Sequence, residues 1–198
     1  MRGISGFIFP VLAAASIGAA YGAAPDSAAG SINKQALTQA PGEAQPAVWA
    51  EKKANFTFQG FTSRYTCDAI EDAIRDVLRQ FGARRSDIKL SSTGCSDPGR
   101  PSPFPGVNIR MSVLQPAVAS SSETVAAHWK TVNLKLNDNF RNTSGQCELV
   151  EEVKKQIVPL FTTRNLDSRT HCIPHQVTAG EPTLKVDVIF ADVEAPRT

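Results

Sequence analysis

His171, Cys172 and His175 stand within five residues of each other, and with His128 they hold the nitrogen and sulfur ligands that a soft metal ion takes. A structural zinc site needs four such ligands, typically a Cys-x-x-Cys pair joined to a His-x-x-x-His pair; His171 and His175 have the second spacing, but no Cys-x-x-Cys accompanies them, so the set fits no standard zinc pattern. The order also departs from the Cys-x-x-Cys-His that attaches haem. A simpler reading is a disulfide cysteine flanked by two surface histidines. Thiolate catalysis needs a free cysteine, and the four cysteines (Cys67, Cys95, Cys147, Cys172) are an even set. No Gly-x-Ser-x-Gly elbow and no Gly-rich phosphate loop occurs. The carboxylate pairs Glu71/Asp72 and Glu151/Glu152 fall where first-turn helix charges belong. The residues therefore favour a non-catalytic protein with no cofactor and no resident metal.

Two other groups of residues suit recognition. Arg84 and Arg85, with Arg75 and Arg79 just before them, make the most basic stretch. The segment from Ser96 to Gly106 carries Pro98, Pro101, Pro103 and Pro105 around Phe104, and the segment from Ile173 to Thr183 carries Pro174 and Pro182. Proline pre-stiffens a loop, so less entropy is lost when it binds. Phe104 beside Pro103 is the natural apolar anchor for a partner, and Arg84 and Arg85 are the charged candidates.

The elements that must position these residues follow from the chain compared with itself. Ile70, Ile74, Val77, Leu78 and Phe81 follow Cys67 at helical spacing, and Val150, Val153, Ile157, Val158 and Phe161 follow Cys147 in the same phase. Such spacing makes one buried stripe on a helix. Thr66 is the expected N-cap of the first helix, Ser144 or Gly145 that of the second. Gly82 is the expected stop of the first, and Pro159 must kink or end the second. Cys95 and Cys172 give a second pair of anchors. Twelve residues beyond each begins a strict alternation: Val107, Ile109, Met111, Val113, and Leu184, Val186, Val188, Phe190. Alternation of this length is a strand with one face on a core. Phe56 and Phe58 before the first helix, and Val132, Leu134 and Leu136 before the second, predict further strands. Trp49 and Trp129 lie upstream of each. Shorter strands are expected at Ile88 to Ser92 and Asn165 to His171.

Each copy thus reads strand, helix, strand, strand. The sequence predicts an α+β fold of tandem duplicated βαββ units, forming a mostly antiparallel six-stranded sheet with two helices on one face. The repeats span 47–117 and 118–198 and share one core; two separate three-stranded modules would each have a small core and exposed edges. The repeat pattern pairs Cys67 with Cys95 and Cys147 with Cys172.

Residues 1–24 read as a signal peptide: Arg2, an apolar run from Phe7 to Ala20, then small residues. Residues 25–46, rich in Ala, Gln, Pro, Ser and Gly, read as a flexible leader, with order expected from about Trp49. Removing Arg2 leaves 20 basic against 19 acidic side chains, a balance that gives no strong pull toward nucleic acid or an anionic membrane. The expected protein is periplasmic or secreted, soluble after cleavage, and without a membrane span. Its expected role is an exported binding protein (adaptor, inhibitor or envelope accessory) for a protein or envelope component. The alternatives are a small secreted enzyme with a site between the repeats, and a metal-handling periplasmic protein.

Overall fold

A computed structural model describes residues 44–61, 63–97, 99–119, 121, 123–137, 140, 145–173 and 180–192. The segment read as a signal peptide lies outside them. Six strands and two helices follow in the order β1 (Gln45–Thr57), α1 (Cys67–Gln80), β2 (Lys89–Thr93), β3 (Gly106–Pro116), β4 (Val125–Asn133), α2 (Gln146–Gln156), β5 (Thr163–Arg169) and β6 (Thr183–Ala191). They form one sheet in the order β2-β3-β1-β4-β6-β5, with every pairing antiparallel. The fold is α+β.

Helix α1 has well-defined ends. The Thr66 hydroxyl accepts from the Ala69 N–H at 3.1 Å. At the far end Gly82 takes φ +82°, so that its N–H reaches Arg79 O and the Ala83 N–H reaches Leu78 O. This is a Schellman stop, and it needs a residue at ease with positive φ. Helix α2 starts from Gly145 without a side-chain cap and ends at Gln156. Pro159 sets that limit, because its ring excludes the i−4 carbonyl, and the chain continues as a short 3₁₀ turn, Val158–Leu160.

The apolar stripes of both helices enter one core with Phe56, Phe58, Val107, Ile109, Met111, Val132, Val186 and Val188 from the strands. Each fully buried side chain of this size contributes about 1.5–3 kcal/mol. Phe81 and Phe161, at matching places after their cysteines, meet edge to face with centroids 5.4 Å apart. The opposite face of the sheet carries a smaller cluster of Ala47, Leu114, Ala127 and Ile189, flanked by Trp49 and Trp129.

Two glutamines tie the halves together reciprocally. Gln80, at the end of α1, donates to Lys135 O at 2.7 Å and accepts from Lys135 N–H at 2.9 Å, just beyond β4. Gln156, at the end of α2, donates to Thr57 O at 2.8 Å and accepts from Thr57 N–H at 3.0 Å, at the end of β1. In both places a side-chain amide satisfies both backbone groups of a residue where sheet pairing runs out.

Two strands differ from the sequence reading. β1 starts at Gln45, so Gln45 and Pro46 belong to the sheet and not to the leader; they pair with Ala127 and Ala126. β4 is Val125–Asn133, displaced toward the N-terminus of the predicted strand, and Trp129 lies inside it.

Candidate functional site

The Pro-rich segment before β3 is held at several points. Cys95 is bonded to Cys67 at the first residue of α1, with S–S 1.96 Å. Ser102 N–H donates to Tyr65 O at 3.0 Å, its hydroxyl donates to Gly94 O at 2.7 Å, and Phe58 N–H donates to Pro105 O at 2.9 Å. Gly94 takes φ +76°, and a Cβ there would stand 2.2 Å from Phe104 O. These ties bring the segment against the connection from β1 to α1. The connection is itself anchored by Tyr65, whose ring packs against Phe58 (5.2 Å) and Phe140 of the second half (4.5 Å).

Between the two segments lies a groove of about 320 Å³, lined by Gln59, Gly60, Phe61, Ser63, Arg64, Pro103 and Phe104. Phe104 is 59% exposed and Phe61 is 66% exposed. Among the described residues most large apolar side chains are buried, whereas Phe61 and Phe104 face solvent along one groove. Loss of side-chain freedom is small for a ring with two torsions, which is why aromatic anchors recur at interfaces.

Phe61 also lines an adjoining pocket of about 160 Å³, with Gln59, Glu148, Glu151, Glu152 and Cys172. Here the first half meets α2 of the second. Cys172 is bonded to Cys147 at the start of that helix, with S–S 1.97 Å. Glu148 is buried and accepts the Phe61 N–H at 3.0 Å. Glu151 accepts from the Thr170 hydroxyl and Glu152 from the Gln156 amide. Glu71 of α1, four residues after its cysteine as Glu151 is, accepts in the same way from the Ser92 hydroxyl at 2.6 Å and from Arg75 at 2.6 Å. These carboxylates are tied to structural donors, and no histidine is among the pocket's described lining residues.

The four residues read from sequence as partner contacts do not come together. Phe104 and Pro103 precede the start of β3, whereas the Arg84 N–H bonds Ser112 O near its other end. Six strand residues separate these points, about 20 Å. Arg84 lies over the Trp49 ring, 5.6 Å from its centroid, on the sheet face opposite the main core, and Arg85 is exposed beside it. Arg164 lies over Trp129 in the same manner at 4.3 Å. Arg75 and Arg79 pair with Glu71, Asp72 and Asp76 along α1, a solvated helix face.

His128 bonds Asp192 Oδ1 through Nδ1 at 2.5 Å and pairs with Phe190 near the end of β6, whereas Cys172 lies beyond Arg169, which pairs with Thr183 at the start of β6. His128 is thus removed from His171 and Cys172 by the length of a strand. His175 and Pro174 lie outside the described residues. Among the described residues no group of three or more His, Cys, Asp or Glu side chains is arranged to hold a metal ion.

Among the described residues two carboxyls, Asp87 and Asp187, have pKa values shifted down, and both are away from the groove. Hydroxyls of Ser112 and Ser86 donate to Asp87 and hold it below the usual carboxylate range, with Arg84 adding to the effect. Burial pushes Asp187 up, but donation from Thr131, Asn165 and Arg164 outweighs it and the net direction is down.

Of the sequence candidates, Phe104 and Pro103 line this groove; Phe61 and Arg64 were not singled out, and Glu151 and Glu152 were read as first-turn helix charges. The one available signal was Gly60-Phe61, an aromatic outside any apolar period between the end of β1 and the Thr66 cap. No family model, curated protein or solved structure matches the chain.

Proposed function

We propose that the protein is an exported, non-catalytic binding protein that holds an extended segment of a protein partner in the Phe61–Phe104 groove. The scaffold is read as a tandem βαββ duplication with both helices on one face of the sheet. The matched cysteine, phenylalanine and glutamate positions of the two halves support this, as does the reciprocal pair of glutamine locks. The leading apolar segment and the two disulfides support a periplasmic or secreted location, since bridges persist in oxidising compartments. No helix among the described residues is long and apolar enough to cross a membrane.

The observation that carries the binding reading is the exposure of Phe61 and Phe104 on the walls of one groove whose backbone is pinned by a disulfide, prolines and hydrogen bonds. Charge complementarity sets the partner's chemistry. Because Phe61 borders both the groove and the glutamate pocket, an apolar side chain in the groove places its neighbour within reach of the half-buried carboxylates of Glu151 and Glu152. The partner is therefore a segment with an apolar residue next to Lys or Arg.

The test is fluorescence anisotropy with a labelled peptide of alternating leucine and lysine, and a leucine–glutamate peptide as comparison. The lysine peptide is expected to bind and the glutamate peptide not to bind. Covering about 60 Å² of the exposed Phe104 ring contributes about 1.5 kcal/mol, so Phe104→Ala weakens binding about tenfold. Equal binding of both peptides, or no effect of Phe61→Ala and Phe104→Ala, overturns the reading.

A further inference from the structure

The sheet face opposite the main core carries a second feature, unrelated to the aromatic groove. Strand register places Lys53 of β1, Arg110 of β3 and Lys89 of β2 side by side on one rung. The next rung on the same face is Asn55, Asn108 and Ser91, and the one after is Thr57, Gly106 and Thr93. Together the first two rungs line a shallow concavity of about 470 Å³. Adjacent strands lie about 4.8 Å apart, so three cations project within about 10 Å of each other. Glu51 approaches Lys53 at 3.6 Å and Arg110 at 3.5 Å, and the Asp87 carboxylate feels Lys89, so three cations face two carboxylates and the rung keeps a net positive charge. The side chains of Lys53 and Arg110 are 66% and 56% exposed.

Three like charges on one rung repel each other, and an anion seated across them relieves the repulsion. The neighbouring rungs offer amides and hydroxyls, the groups that hydrogen-bond a hydroxyl-rich ligand. No aromatic ring lies on these three rungs, so the stacking platform of a single-strand nucleic-acid site is missing there. The rung that the repeat register makes equivalent in the second half is Thr131, Asp187 and Arg164, in which the charges cancel. The feature thus belongs to the first half alone.

We infer that the Lys53–Arg110–Lys89 rung is a binding site for an anionic glycan, with acidic groups on the cationic rung and sugar hydroxyls on the Asn55, Asn108 and Ser91 rung. The probe is polygalacturonate in affinity electrophoresis of the full chain at low salt, with neutral dextran and a thymidine oligonucleotide as comparisons. Retardation by polygalacturonate and not by dextran is expected. Lys53→Gln and Lys89→Gln each weaken it about 3- to 10-fold and lower the slope of log affinity against log salt by about one. Lys155→Gln, on exposed α2 surface, leaves it unchanged. Thermal melts of each variant confirm the fold. Absence of retardation by polygalacturonate overturns the inference. So do equal retardation by neutral dextran, tighter binding of the oligonucleotide, or an equal loss with Lys155→Gln.

Discussion

Removing one disulfide at a time measures how far the fold depends on its two covalent closures. Alanine is the proper replacement, because Cys67 and Cys147 are 0% and 2% exposed and serine would bury a hydroxyl without a partner. The bridges close loops with sequence separations of 28 and 25. In the chain-entropy model, loops of that size restrict the unfolded chain by about 3.5 kcal/mol each, and the two differ by only about 0.1 kcal/mol. The Cys67→Ala/Cys95→Ala and Cys147→Ala/Cys172→Ala variants should therefore lose nearly equal stability. At about 2–4 °C per kcal/mol for a chain of this size, each Tm falls by about 7–14 °C. Loss of both bridges removes about 7 kcal/mol, comparable to the whole stability of many domains, so the variant lacking all four cysteines should be largely unfolded near 37 °C. Circular dichroism melts and urea titrations of the oxidised protein and the two paired variants are the assay. A shift below about 3 °C for both pairs would refute the reasoning, since the closures would then constrain little in the unfolded chain.

The glutamine locks make a second prediction. Gln156→Ala leaves both backbone groups of Thr57 without their partner in a half-buried place and should cost about 1–3 kcal/mol. Gln80→Ala should cost less, because Lys135 is exposed and water replaces the amide. Urea titration gives both values, and a larger loss at Gln80 contradicts the account. Asp187 supplies a pH dependence. Its carboxyl titrates below the unfolded value of about 3.9, so its contribution is present above that value and is lost as pH falls through the lower folded value. Asp187→Asn should flatten the acid limb of the stability profile below about pH 4, and an unchanged limb would show that other carboxyls govern it.

The helical stripes after Cys67 and Cys147 were legible because each element meets the core on one side only. Every apolar residue read from them is buried. β3 and β6 were legible for the same reason. β1 was not, because its apolar residues change parity: Ala47 and Trp49 face one side of the sheet, Phe56 and Phe58 the other. A period-2 reading registers only the second pair. In β4 the residues that share the core face with Val132 are Ala126, His128 and Lys130, which carry no apolar signal, while Leu134 and Leu136 extend the pattern past the strand's end. The groove was half legible. Phe104 declared itself through the surrounding prolines, but its neighbour Phe61 and the glutamates from α2 are brought there by packing between the halves. Arg84 and Arg85 were grouped with Phe104 on composition, and only the direction of β3 separates them.

Chemical-shift mapping of the isotopically labelled protein with the leucine–lysine peptide locates the binding surface residue by residue. Binding in the groove should perturb the amides at 59–61, 63–66, 102, 104, 106 and 146–152, with the amides of β5 unchanged. Perturbations centred instead on the Trp49–Trp129 face or the Lys53–Arg110–Lys89 rung, with the groove amides unmoved, would contradict it.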